Sequence, residues 1–494
     1  MSVSNSSILK NLPPSSPDES TLDPRRWVAL AVVLGALFLV VLDFLIVNIA
    51  LPAMQADLRA TSAQLQLVVA GYGLAYAVCL ITGGRLGDIH GRRRMFLWGV
   101  AAFTLASLLC GLAPSASLLI AARVLQGGTA ALMVPQIFSL VQVSFPPHER
   151  ARAFAILGIV VGIASFIGNV LGGYLVSANF AGLTWRPIFF VNLPVGVLSL
   201  LLAPRFVPES RAPHAHKLDL IGVALVSLGL FLLIFPMAEG REAGWPWWAW
   251  LCVGFSFVIL RGFFLFEAHL MQNGGAPLVD LNLFHDRNFV AGLGCMMTTF
   301  MGMSSFALML TMFLQDGMGL QPREAGLCFA PLSLLFLCAS LFALRYADQL
   351  GTLLLLAGVI IMIIGASWLI FLMHAQGVGF STRALIAPIS IYGFGQGLLV
   401  PQLSGVVLRG VSPHLAGTAS GVLTTGQQVA GSLGIALIGS VFFTLLGPKP
   451  EPSRFAYAFS HTFACNMVLM ILTFVLLLCL PRFGPKLEVA AEAI

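Results

Sequence analysis

The chain has 494 residues, 58% of them hydrophobic and only 9% charged, with a formal net charge of +6. Soluble domains carry roughly 25% charged residues, so this composition excludes a soluble globular protein and points to a chain that crosses a bilayer many times. No loop between the apolar runs is large enough to carry the basic face that nucleic acid requires, so no nucleic-acid partner is expected. The eight cysteines are scattered singly in or beside apolar runs, without a Cys-x-x-Cys pair. That argues against disulfides and metal, and for small apolar packing groups.

Residues 1–26 are polar and rich in Ser and Pro, with no short apolar core ahead of a cleavage site. They read as a disordered cytoplasmic tail and not as a signal peptide. Beyond them, a bilayer core of about 30 Å needs roughly 20 apolar residues per helix. On that ruler the sequence predicts fourteen spans: 28–48, 65–84, 95–113, 118–141, 154–176, 188–203, 220–237, 247–266, 289–313, 325–344, 353–373, 384–408, 418–446 and 461–480. The span 188–203 is short, and 384–408 is interrupted by glycines and proline. Residues 205–219 and 267–288 are the only sizeable inner loops, and neither could fold alone. An even count puts both termini on one side. Placing them inside leaves most of the 26 Lys and Arg on inner segments, so both termini are expected in the cytoplasm of a plasma membrane, the bacterial inner membrane.

The turn between the second and third spans reads Gly83-Gly84-Arg85-Leu86-Gly87-Asp88-Ile89-His90-Gly91-Arg92-Arg93-Arg94. Gly84, Gly87 and Gly91 allow a tight reversal with close helix contact. Arg92 and Arg93 mark the inner surface, and Asp88 precedes Arg92 by one helical turn. Parts of this stretch recur. Arg85-x-x-Asp88-x-x-Gly91 returns as Arg345-x-x-Asp348-x-x-Gly351, Val134-Pro135-Gln136 as Val400-Pro401-Gln402, and Pro147-His148 as Pro413-His414, at offsets of 260, 266 and 266. The common order divides the chain into an N-terminal six-helix half (27–204), a linker with two inserted helices (205–288), a C-terminal six-helix half (289–480) and a second cytoplasmic tail (481–494). The expected fold is an all-α polytopic membrane protein.

Two charged residues stand deep in spans. An ionised Asp43 at the bilayer centre costs about 2.5–3.5 kcal/mol on insertion scales. It must therefore pair, face water or hold a proton, and such a group suits proton coupling. By span length it lies nearer the outer surface. Arg123 keeps its charge and needs acceptors; Asp43 and Gln126 are both candidates. The glycine-rich run Gly393–Gly397 has no preceding strand and is no nucleotide loop. No Walker-type loop appears, so direct ATP drive is disfavoured. His214 and His216 have no partner ligands for a metal; His374, His414 and His461 sit at span ends and read as solvated. No cluster of His, Asp or Ser gathers at one face, so no enzyme is expected.

These stretches resemble a known family. Gly84-x-Leu86-x-Asp88-x-x-Gly91-Arg92-Arg93 is similar to the loop between the second and third helices of the major facilitator superfamily. Leu42–Pro52, Arg123–Gly128 and Trp185–Pro194 are similar to the first-, fourth- and sixth-helix signatures of its fourteen-spanner drug:proton antiporter family. Gly158, Gly162, Gly168, Gly172 and Gly173 resemble that family's fifth-helix pattern, except that Asn169 stands where the family usually has proline. The resemblance implies the major facilitator fold, with a substrate site between the halves. It implies export of lipophilic drugs or toxic compounds, cationic ones among them, in exchange for protons. Asp43 and Arg123 would couple the proton; Asn48, Gln126, Gln136, Asn169 and Gln402 are candidates for the substrate cavity. The loop residues from Gly84 to Arg93, with Arg345 and Asp348, would carry the conformational change. No cofactor is expected beyond the proton gradient. The expected partners are a small-molecule substrate, protons and membrane lipid, with a periplasmic adaptor left open. A same-fold transporter of a defined metabolite or siderophore, and a non-transporting sensor or scaffold, are the alternatives.

Overall fold

The computed structural model describes residues 24–211, 219–240, 243–273, 275, 277–377, 379, 381–408, 416–447 and 451–480. Within them the fourteen spans are helices: α1 (Arg26–Leu58), α2 (Ser62–His90), α3 (Arg92–Gly111), α4 (Ala116–Ser144), α5 (Pro147–Ala178), α6 (Pro187–Phe206), α7 (Leu220–Glu239), α8 (Trp247–Gln272), α9 (Arg287–Gly317), α10 (Pro322–Leu350), α11 (Thr352–Gln376), α12 (Arg383–Leu408), α13 (Ala416–Leu446) and α14 (Pro452–Cys479). The expected tails, together with His214, His216 and the Pro413-His414 pair, lie almost wholly outside the described residues.

Local chemistry sets the ends. A capping box opens α2: Gln64 N donates to Thr61 Oγ1 at 3.2 Å and Thr61 N to Gln64 Oε1 at 3.0 Å, satisfying two otherwise orphaned donors. Pro147 stands in the first turn of α5, where its missing N–H is not needed. Gly91 turns the chain from α2 into α3 at φ +107, and its counterpart Gly351 turns α10 into α11 at φ +52. Both angles favour glycine, although the two turns differ in ψ, 132 at Gly91 and −127 at Gly351.

Several expectations are corrected. Helix α1 runs on through Pro52 to Leu58, well past residue 48. Asp43 therefore stands about 26 Å along a helix of about 50 Å, near the middle of the helix. Helix α8 continues to Gln272 and takes Glu267 out of the expected loop into a fully buried position. It also carries Arg261, exposed on its outer face, so Arg123 is not alone among basic residues within a helix. Cys338, Cys465 and Cys479 are exposed, so not every cysteine is a packing group.

Helices α1–α6 pack among themselves, as do α9–α14. The halves meet where α5 lies against α10 and α2 against α13. Call the end that carries the Arg92 turn the basic end. One apolar core joins α1 from Leu42 to Met54 with Phe306–Leu314 of α9 and Phe455–Phe463 of α14; this part spans both halves and lies away from the basic end, while its continuation toward that end, through Phe289 and Leu477, stays in the C-terminal half. Toward the basic end the cores separate: one holds only N-half residues such as Leu30, Phe96 and Ile137, another only C-half residues such as Ala339 and Leu398. The halves are thus packed together far from the basic end and diverge toward it. The inserted helix α7 lies along the α2–α13 seam, where Leu230 packs with Ala77 and Val429, and Ser440 Oγ donates to the Met237 carbonyl at 2.7 Å.

Candidate functional site

Asp43 points from the middle of α1 into a space closed by α2, α3, α4 and α6. Arg123 Nη1 donates to Asp43 Oδ2 at 2.5 Å and to Gln126 Oε1 at 2.6 Å, and Arg123 Nε to the Val68 carbonyl at 3.1 Å. Gln126 Nε2 donates to Asp43 Oδ1 at 2.9 Å and to Ser107 Oγ at 2.7 Å. Asn192 Nδ2 donates to the same two oxygens at 2.7 and 3.2 Å. The guanidinium lies 4.2 Å from the centroid of the Tyr72 ring, an additional cation–π contact. Asp43, Arg123, Gln126, Asn192 and Ser107 are all 0% exposed.

The arrangement answers the problem that the bilayer poses. Taking two charges out of water carries a penalty of several kcal/mol per ion, and close pairing offsets it only when further hydrogen bonds complete both groups. Asp43 receives three donors. Arg123 finds two side-chain acceptors, a carbonyl and an aromatic face, while its Nη2 has no hydrogen-bond partner among the described residues. The sequence left Asp43 and Gln126 as alternative partners of Arg123; the structure brings both to the same guanidinium nitrogen. It also adds Ser107, Asn192, Tyr72 and the Val68 carbonyl, which sequence reasoning missed. Asn192 and Ser107 carried one legible signal, since each is a polar residue in a long apolar run. Their convergence on Asp43 is a tertiary fact.

The remaining cavity candidates are spread along the bundle. Asn48 is buried and donates to the Phe44 carbonyl of its own helix at 3.2 Å. Asn169 likewise donates to the Ser165 carbonyl at 3.2 Å. Gln136 Nε2 donates to the Gly83 carbonyl at 2.7 Å, and its side chain fills the space a Cβ on Gly87 would take. Gln136 thus clamps α4 to α2. Gln402 is half-buried on α12. Three of these amides are engaged by nearby backbone carbonyls, which explains why they do not gather into one chamber.

In α5 the glycines divide by face. Gly172 meets Ile46 Cγ1 at 2.7 Å from an ideal Cβ and Gly168 meets the Leu42 carbonyl at 3.4 Å, so this face packs on α1. On the opposite face a Cβ on Gly173 would overlap the Pro322 carbonyl, and one on Gly162 would stand 2.7 Å from Leu337 Cδ1, both on α10. Gly158, next along that face toward the basic end, has nothing within 4 Å. It is therefore not a packing glycine here, and it marks where α5 and α10 part.

At the basic end, Asp88 Oδ1 accepts from Arg92 Nη2 at 2.9 Å. Arg92 N donates to the Ser210 carbonyl at 2.9 Å and Arg93 N to Glu209 Oε1 at 3.1 Å. A Cβ on Gly91 would stand 2.6 Å from Glu209 Oε1, so glycine is needed for that close approach as well as for the turn. Arg345 is exposed on α10; the side chain of Asp348 lies outside the described residues. At the far end, Gln315 Nε2 donates to the Ile49 carbonyl at 2.7 Å and Arg323 N to Ser177 Oγ at 2.8 Å, each bond joining one half to the other.

Comparison with known proteins agrees with this geometry. A family model described as Major Facilitator Superfamily matches residues 33–435. A probable actinorhodin transporter of Streptomyces coelicolor is 40% identical over 442 residues, covering 88% of this chain and 76% of that protein. A cephamycin export protein of Amycolatopsis lactamdurans is 35% identical over 92% of this chain and 93% of its own length. The multidrug resistance protein Stp of Mycobacterium tuberculosis is 34% identical over 84% and 76%. Among solved structures, a bacterial homologue of the lysosomal transporter Spinster gives a TM-score of 0.63 at 17% identity, over 92% of this chain and 97% of that one. The xylose transporter XylE from E. coli gives 0.62 at 13% identity, over 91% and 98%. At such identities these two show the fold alone. Family model, relatives and fold agree: the chain belongs to the Major Facilitator Superfamily.

Proposed function

We propose that this protein exports lipophilic compounds, cationic ones among them, across a bacterial inner membrane in exchange for protons, with both termini in the cytoplasm. The observation that carries the reading is the fully buried Asp43–Arg123 pair inside a transporter fold. Asp43 accepts a proton only by giving up charge. A neutral carboxyl no longer holds Arg123, whose Nη1 already has a second acceptor in Gln126 Oε1. Protonation therefore passes the guanidinium from α1 to α4's own amide and loosens α1 from α4. The basic bias of the Arg92 turn supports a cytoplasmic assignment of that end. On that assignment, the divergence of the halves there is an inward-facing arrangement, closed outside by Gln315–Ile49 and Arg323–Ser177.

The relatives favour a second reading within the same fold. Several are named for a single compound, actinorhodin or cephamycin; one is named for multidrug resistance. A narrow exporter of one defined metabolite is the competing substrate range. Proteoliposomes separate these readings. Drug-induced proton flux across a panel of unrelated lipophilic cations supports broad efflux, and response to a single compound supports narrow export. A protein that moves substrate with no proton flux, and equally well as Asp43→Asn, would refute proton exchange at this site.

A further inference from the structure

The inserted helices carry a second buried acidic site that the Asp43 network does not use. Asp219 caps α7, its Oδ1 accepting from Gly222 N at 2.8 Å. Glu267 lies in the last turns of α8, and its Oε2 accepts from Val279 N at 3.1 Å. Glu267 is 0% exposed and Asp219 8%. The remaining oxygens, Asp219 Oδ2 and Glu267 Oε1, are buried without a hydrogen-bond partner among the described residues. They aim at the same space: a Cβ on Gly222 would overlap both. Two carboxylates cannot satisfy each other, since each only accepts. A single proton between them satisfies both at once.

The surroundings have the charge for that state. Arg85 of α2 donates to the Pro277 carbonyl, in the segment that Glu267 holds through Val279. Burial pushes the Arg85 guanidinium down from its ordinary value, while Asp219, Glu267 and Asp88 hold it up. Arg85 and Asp88 are the charged groups of α2 that bear on the pair, and Asp88 is itself matched by Arg92. His269 and Asp280 sit on the pair's own segments; His214, His216 and Lys217 lie outside the described residues. Among the described residues, one cation, Arg85, faces the two buried acids, and that charge is balanced when the acids share one proton.

We propose that Asp219 and Glu267 form a single-proton site that holds the inserted helix pair to the inner end of α2. With the proton bound, the start of α7, the end of α8 and Arg85 form one closed cluster. Loss of the proton sets two carboxylates against each other and loosens α7 from the α2–α13 seam where the halves join. The site thus makes the grip of the inserted helices on that seam depend on the proton activity at the basic end.

The test uses the full chain in lipid nanodiscs in an Asp43→Asn background, so that the first site contributes no signal. Infrared titration should show a protonated-carboxyl band that disappears as pH rises and that is missing from both Glu267→Gln and Asp219→Asn. A set of titrating carboxyl bands that is the same in the background protein and in both variants overturns the proposal. Saturable removal of the band by Mg²⁺ or Ca²⁺ also overturns it, because the site would then hold a metal cation. Hydrogen exchange needs no variant at this pair. The amides of residues 220–223 should lose protection in a one-proton step as pH rises, and unchanged protection across the titration overturns the proposal. None of these readings requires transport, so they stand or fall apart from the exporter assignment.

Discussion

Arg123 Nη1 lies 2.5 Å from Asp43 Oδ2, and both side chains are wholly buried. The pair joins α1 to α4 inside the N-terminal half; it does not bridge the two halves. A change of charge at Asp43 must therefore act first on how α1 and α4 lie together, and only then on the α5–α10 and α2–α13 seams.

Removing one partner of this pair should be worse than removing both. Arg123→Ala strands an uncompensated buried carboxylate and should lower stability by about 3–5 kcal/mol. Asp43→Asn with Arg123→Met should recover most of that loss while abolishing proton-driven export. Thermal unfolding of the detergent-solubilised variants checks the order; equal losses for the single and double variants would show that the pair is not coupled.

Asn192→Leu takes one donor from Asp43 and Ser107 together. A lost hydrogen bond to a charged group is worth about 1.5–3 kcal/mol, so export should slow markedly while the protein still reaches the membrane. Asn48→Leu, which touches only its own helix backbone, should be much milder. Transport rates normalised to protein amount decide between them.

Asp88→Asn weakens the 2.9 Å bond to Arg92 without disturbing Gly91 or the Glu209 contact. If the turn takes part in switching between two arrangements of α2 and α3, the variant should insert normally and exchange more slowly. Normal exchange rates would leave the turn with a purely topogenic role.

The two glycines on the α10 face of α5 should differ. Gly173→Ala drives a Cβ into the Pro322 carbonyl, and overpacking of that kind costs typically 1–3 kcal/mol. It should open the far end and raise labelling of a cysteine placed at Gln315. Gly158→Ala meets nothing in this arrangement and should leave that labelling unchanged. It should slow the cycle only if α5 and α10 close there at another stage.

The sequence by itself determined the class, the number of spans, the internal repeat and the two charged residues that a bilayer does not tolerate without a reason. Those features are local: apolar run length follows from bilayer thickness, and a buried charge announces itself by its chemistry. The turn glycines Gly91 and Gly351 were legible for the same reason, since both stand at positive φ, where glycine carries no steric cost. Only the tertiary structure decided what completes Asp43. Asn192, Ser107 and Tyr72 lie on three other helices, and nothing in their own segments says that they meet Asp43, so their meeting depends on how the helices pack. Packing also moved Glu267 from an expected loop into a buried pair with Asp219, and it divided the fifth-helix glycines into those facing α1, those facing α10 and one facing open space. Spacing along a helix tells which residues share a face; which neighbour that face meets, and where two halves part, is settled by contacts between residues far apart in the chain.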